Sequence, residues 1–378
     1  GYAMEQNFIR ELTPILNANQ ILVEHRYFGQ SRPDSLDWQY LTVKQAAADH
    51  HGIVDLFKRI YKGTWVSTGI SKGGQTALFH RRVYPNDVAA TVAYVSPITL
   101  AFEDERLDEY LYRIGDSSCR EKIKLFQRQL LKHKTELLPR LRNWGRDRGE
   151  KFSMGLEKAF EFAVLEYPFS FWQRGVVECS DIPSGKASAE EMFEHFQRVL
   201  LLDLYTDRGR QKYAPYFYQT ATELGYYGYR TEYLNDLLTA IDNPSNLFFA
   251  PEDAQIEFNP KVMQDVLHWL QHSGNNIIYL YGGLDPWTGA AVEPSPETNA
   301  IKIVQPDAAH NLKIRDLSSA RQQEIFTALE EWLNIEVEGN SNPVGGNIFD
   351  WNAVFIGGIL LFTLLFALRK FKQLTIFR

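Results

Sequence analysis

The hexapeptide Gly69-Ile70-Ser71-Lys72-Gly73-Gly74 constrains this chain more than any other stretch. It matches G-x-S-x-G, a sharp corner that needs a strand before the serine and a helix after it, with small residues letting the two pack closely. The flanks meet that need. Thr64 to Gly69 reads as a buried strand, and Gln75 to Val83 can form a helix. Ile21-Leu22-Val23 and Ala89 to Val95 read as two more strands, with Ile53, Leu56, Phe57 and Ile60 at helical spacing between the first pair. Such alternation predicts an α/β fold built on a mostly parallel sheet. From about Thr99 to Met263 the rhythm gives way to helical patterning crowded with charge and aromatics. Strands resume at Ile277 to Tyr281 and Ala300 to Val304, and Ile325, Phe326, Leu329, Trp332 and Leu333 mark a closing amphipathic helix. The expected organisation is a core over 1–98 and 264–335 interrupted by a helical cap over 99–263.

Composition narrows the function. Across 378 residues, 44% hydrophobic and 13% aromatic content supplies a large core with aromatic surface left to line a pocket. A net charge of −7 repels phosphate backbones, so no nucleic-acid partner is expected. The basic run Arg120, Lys122, Lys124, Arg128, Lys132, Lys134 overlies Ile123, Phe126 and Leu130 at helical spacing and reads as a solvated helix face. His50-His51 lacks a third ligand or metal-binding spacing, so no metal is expected. Cys119 and Cys179 lack zinc spacing; a single disulfide and two separate buried thiols both stay open.

The ends carry their own expectations. Gly1-Tyr2-Ala3-Met4 shows no signal peptide, which is expected upstream of Gly1. Ala353 to Leu368 is uncharged, preceded by Trp351 and followed by Arg369, Lys370 and Lys372. As a helix it spans ~24 Å against a hydrocarbon layer of ~30 Å, within reach of snorkelling flanks, and it is expected to be a transmembrane anchor. The basic flank places a cytoplasmic tail over 369–378 and the catalytic part outside, in a periplasmic or cell-surface location. Residues 336–352 read as a flexible stalk.

A serine hydroxyl is a poor nucleophile until a base takes its proton and an acid orients that base. Ser71 is followed in chain order by Asp285, just after the Ile277 strand in Gly282-Gly283-Leu284-Asp285-Pro286-Trp287, and by His310 just past the next strand. Both fall at strand C-terminal ends, where such sheets hold ligands. Asp307 is the substitute acid but shares a loop with the base. One oxyanion donor is expected from the Lys72 backbone N–H. Gly1-Tyr2-Ala3 is placed to supply another, though an ordinary frayed terminus fits the same residues.

With these residues in hand the chain resembles the secreted prolyl tri/tetrapeptidyl aminopeptidases, a family of α/β-hydrolase serine peptidases. It is similar, more distantly, to prolyl carboxypeptidase and dipeptidyl peptidase II. The resemblance rests on Val23 to Ser31, Gly69 to Gly74 with Arg81-Arg82-Val83-Tyr84-Pro85, Glu166 to Gln173, Tyr218 to Tyr227, and the Asp285 and His310 segments, within residues 1–335. It implies an α/β-hydrolase fold whose first strands precede Gly1, and removal of short, often proline-containing peptides from N-termini without a cofactor. It also implies Ser71, Asp285 and His310 as the triad and Tyr2 as the second oxyanion donor. An exopeptidase must hold a free ammonium, and the first candidate is Glu223, beside Tyr226 and Tyr227, the second Glu166, beside Phe171 and Trp172. An esterase or lipase on the same triad, or a non-catalytic membrane-anchored binding protein on the same fold, are the alternatives.

Overall fold

A computed structural model of the chain describes residues 9–337. Four strands, β1 (Val66–Ile70), β2 (Ala90–Tyr94), β3 (Ile277–Gly282) and β4 (Ile301–Gln305), form one sheet in that spatial order, every neighbouring pair parallel. The register aligns Gly69 with Ala93, Tyr94 with Leu280 and Gly282 with Gln305. Strands buried on both faces are nearly all apolar, which is why Ala90–Tyr94, broken only by Thr91, and Ile277–Gly282 read as apolar runs.

Alternate residues of each strand serve different layers. Val92, Tyr94, Ile278 and Leu280 pack beneath Ile325, Phe326 and Leu329 of α11 (Ser319–Leu333). Ala93, Ile277, Tyr279 and Tyr281 pack against Leu78 and Phe79 of α3 (Lys72–Val83) and Met263, Val266 and Leu270 of α10 (Pro260–His272). Before the sheet lie α1 (Leu12–Ile15) and α2 (Val43–Lys58), the latter packed on α3. Ile21, Leu22 and Val23, expected as a strand, run outside the sheet without regular structure: no strand among the described residues pairs with them, Ile21 is exposed and Leu22 and Val23 are half-buried.

Between β2 and β3 come α4 (Glu105–Leu111), α5 (Ser117–Lys132), α6 (Lys134–Asp147), α7 (Leu156–Arg174), α8 (Ala189–Val199) and α9 (Asp207–Gln219) before α10. Phe126, Phe160, Tyr167, Phe196 and Phe217 build a separate core among them. On α5, Ile123, Phe126 and Leu130 face inward, while Arg128 pairs with Asp236 and Lys124 lies over Tyr112 and Tyr233. Cys119 and Cys179 are bonded, tying the start of α5 to the segment after α7.

The expected fold class needs a correction. The sheet and helices are α/β, but no helix among the described residues is long and apolar enough to cross a membrane, against the expected C-terminal transmembrane helix. The run assigned to that helix, residues 353–368, lies outside the described residues, as do most of the assigned stalk and the basic tail.

Candidate active site

The corner at Ser71 is built by its neighbours. Ser71 joins β1 to α3 with φ 55° and ψ −125°, a left-handed backbone that costs a non-glycine residue roughly 1–3 kcal/mol. It is held there by its N–H, which donates to Tyr94 O at 2.8 Å at the end of β2, and by Gln75 N–H donating to Ser71 O at 2.9 Å. A Cβ on Gly69 would fall on the Gly73 backbone and one on Gly74 on the Ser96 hydroxyl, so strand and helix close only with glycine at both. The first-turn N–H groups of α3, Lys72's included, and the positive end of the helix therefore lie beside the serine.

Asp285 and His310 stand at the ends of β3 and β4, as expected. The Asp285 carboxylate is wholly buried, and its Oδ2 lies 2.6 Å from His310 Nδ1. Its Oδ1 accepts from Trp287 N–H at 3.2 Å. A carboxylate accepts, so Nδ1 carries the proton and Nε2 presents a lone pair. Nε2 is buried and has no hydrogen-bond partner among the described residues. The His310 backbone N–H donates to Gln173 O of α7 at 3.0 Å, so the insertion also holds the histidine loop. Asp307 is exposed and is not among the partners of His310.

The remaining candidates separate into two places. Glu223 lies in a single π-helical turn, Thr220–Leu224, and its Oε2 accepts from Val43 N–H at the start of α2 at 2.6 Å. Burial raises its pKa, opposed by that N–H and by the Lys72 ammonium. Lys72 Nζ is itself buried without a hydrogen-bond partner among the described residues, 5.4 Å from the centre of the Phe28 ring, and burial pushes it down to about 7 against the pull of Glu223. Glu166, on α7, accepts from Tyr227 Oη at 2.7 Å and Ser170 Oγ at 3.0 Å. Burial pushes it up to about 7, and those two hydrogen bonds only moderate the rise. Burial, aided by the Glu166 charge, also raises the hydroxyls of Tyr205, Tyr226, Tyr227 and Tyr229.

Sequence reading passed over Trp287, although it stands two residues after Asp285. Its ring meets Tyr226 and Tyr227 edge-on, centroids 5.4 Å away in each case, and its Nε1 is buried and unpartnered among the described residues. Trp172 is not part of this aromatic box; its indole packs on Gly115, whose φ of +63° leaves no room for a side chain. Tyr2 lies outside the described residues. Of the histidine pair, His51 shares Asp87 with the buried His80, and the His50 ring lies 5.8 Å from that of His80.

Comparison with known proteins bears on this geometry. The family described as PS-10 peptidase S37 matches residues 1–335. The chain is 33% identical over 345 residues to a prolyl tri/tetrapeptidyl aminopeptidase from Streptomyces mobaraensis, covering 89% of this chain and 72% of that one. It is 23% identical over 362 residues to the lysosomal Pro-X carboxypeptidase of Bos taurus, covering 82% and 72%. It is 24% identical over 409 residues to a prolyl carboxypeptidase-like protein of Caenorhabditis elegans, covering 88% and 80%.

Proposed function

This chain belongs to the PS-10 peptidase S37 family, and from that premise we propose that it is a serine exopeptidase that removes tripeptides or tetrapeptides, proline-containing ones among them, from peptide N-termini through an acyl-enzyme on Ser71. Serine-type peptidase activity follows from the family; the residue roles are our reading. His310 Nε2 takes the Ser71 proton as Oγ attacks the scissile carbonyl, and buried Asp285 holds the imidazole in the tautomer this needs and stabilises the imidazolium. The Lys72 N–H, at the positive end of α3, receives the developing oxyanion, with Tyr2 as second donor. The proton then passes from Nε2 to the leaving nitrogen, and water repeats the sequence to free the acyl peptide. The observation that carries the reading is the 2.6 Å contact of His310 Nδ1 with Asp285, at the same C-terminal end of the parallel sheet as the strained Ser71.

Of the two carboxylates, Glu166 is the better anchor for the substrate ammonium. Among the described residues no lysine or arginine pairs with it, and a buried carboxylate without a cation calls for one. The tyrosines and Trp287 around it add faces that attract cations. Glu223 already caps α2 and faces Lys72, which suits a supporting role in the same cleft. The Cys119–Cys179 bond supports an extracytoplasmic, oxidising location.

The test compares peptides with free and acetylated N-termini. The free peptide should be cleaved with much the higher kcat/KM, and Glu166→Gln should narrow that difference. Equal rates on both in the wild type would remove the exopeptidase reading.

A further inference from the structure

A cavity of about 400 Å³ opens at the seam between sheet and insertion, against the His310 loop. Its core wall includes Leu284, next to Asp285, with Ala309 and Asn311 on either side of His310. Trp172 and Leu312 contribute apolar surface, while Glu178, Asp307 and Asp316 contribute carboxylates; among the described residues no lysine, arginine or histidine lines it. One of the acids is partly committed, Asp316 to the N–H of Lys313, with Arg315 4.0 Å from Asp316. Asp307 is exposed and has no ion-pair partner among the described residues.

We propose that this cavity receives the part of the substrate beyond the scissile bond and favours a cationic residue there. The inference rests on the peptidase reading above. Once Ser71 Oγ has bonded to the carbonyl carbon, the C–N bond breaks and the leaving nitrogen takes the proton that His310 Nε2 removed from Ser71, so protons balance within the site. That nitrogen must lie against His310, and the chain attached to it leaves past the histidine loop, which the cavity borders. The released peptide also gains a new α-amino group, largely protonated near neutral pH. An apolar floor with an acidic rim is complementary to such a chain, and most of all to one carrying lysine or arginine just beyond the cut.

The experiment measures kcat/KM for three peptides identical up to the cut and carrying Lys, Gln or Glu at the second residue after it. The expected order is Lys over Gln over Glu, with Lys exceeding Glu by roughly three- to tenfold at low ionic strength, the range that half-exposed ion pairs support, and less in high salt. In Asp307→Asn combined with Glu178→Gln, the ratio should fall to about one. An anilide with the same acyl part, which has no residue beyond the cut, separates the two levels of the argument. Turnover of the anilide with equal kcat/KM for the Lys and Glu peptides would overturn the subsite and leave the peptidase reading standing, as would an unchanged ratio in the double variant. No turnover of anilide or peptides would overturn both.

Discussion

Gly175 ends α7 in a left-handed conformation, φ 54°, and a Cβ at that position would come within 2.8 Å of the Ala309 Cβ, one residue before His310. With the hydrogen bond from His310 N–H to Gln173 O, this contact makes the last turn of α7 a wall for the histidine loop. Gly175→Ala should therefore displace that loop and also carry the ~1–2 kcal/mol cost of a left-handed alanine. Because a misplacement of about 1 Å can cost ~100-fold in rate, kcat is expected to fall at least tenfold while the thermal midpoint drops by only a few degrees. Stopped-time assays beside a thermal melt check this; a loss of stability with kcat unchanged would separate α7 from the histidine.

Glu166 gives stability a pH signature. Its pKa rises from 4.5 in the unfolded chain to about 7 in the native protein, chiefly through burial. The native state thus holds a proton that the unfolded chain releases. The favourable contribution is complete below about pH 4.5 and is lost as pH rises through about 7, amounting to roughly 3 kcal/mol over that window. Thermal midpoints of wild type and Glu166→Gln, measured without substrate from pH 5 to 8, should diverge, with the variant gaining relative to wild type toward pH 8. Parallel curves would mean that Glu166 is ionised throughout.

Much of the sheet and the corner at Ser71 is legible in the sequence, and the reasons are physical. Strands buried on both faces leave nearly unbroken apolar runs, and the glycines around Ser71 answer close approaches that no other residue permits. Ile21-Leu22-Val23 has the same composition as a strand but no strand beside it among the described residues, and composition cannot supply a partner. The box around Glu166 is assembled from Tyr205, Tyr226, Tyr227 and Trp287, residues far apart along the chain, so no local pattern announces it. Trp172, close to Glu166 in sequence, proves to sit against Gly115 instead. The bond between Cys119 and Cys179 depends on how α5 and α7 pack, which spacing alone leaves open.

That bond should matter to the insertion more than to the sheet. It closes a separation of 60 residues, for which the chain-entropy account gives a stabilisation of about 4 kcal/mol. Replacing both cysteines with serine should lower the thermal midpoint by several degrees and raise amide exchange first in α5 and in the segment after α7. Exchange that rises first in β2 and β3 would place the bond's effect in the wrong layer.

The central claim is that Ser71 is the nucleophile, and the most direct test is to find the covalent bond it forms. The full chain is treated with a fluorophosphonate, digested and mapped by mass spectrometry. The account predicts a single phosphonylated serine, Ser71, with loss of peptidase activity in step with labelling and no adduct on folded Ser71→Ala, whose kcat should be lower by several orders of magnitude. An adduct on another serine, or undiminished turnover by Ser71→Ala, would contradict it.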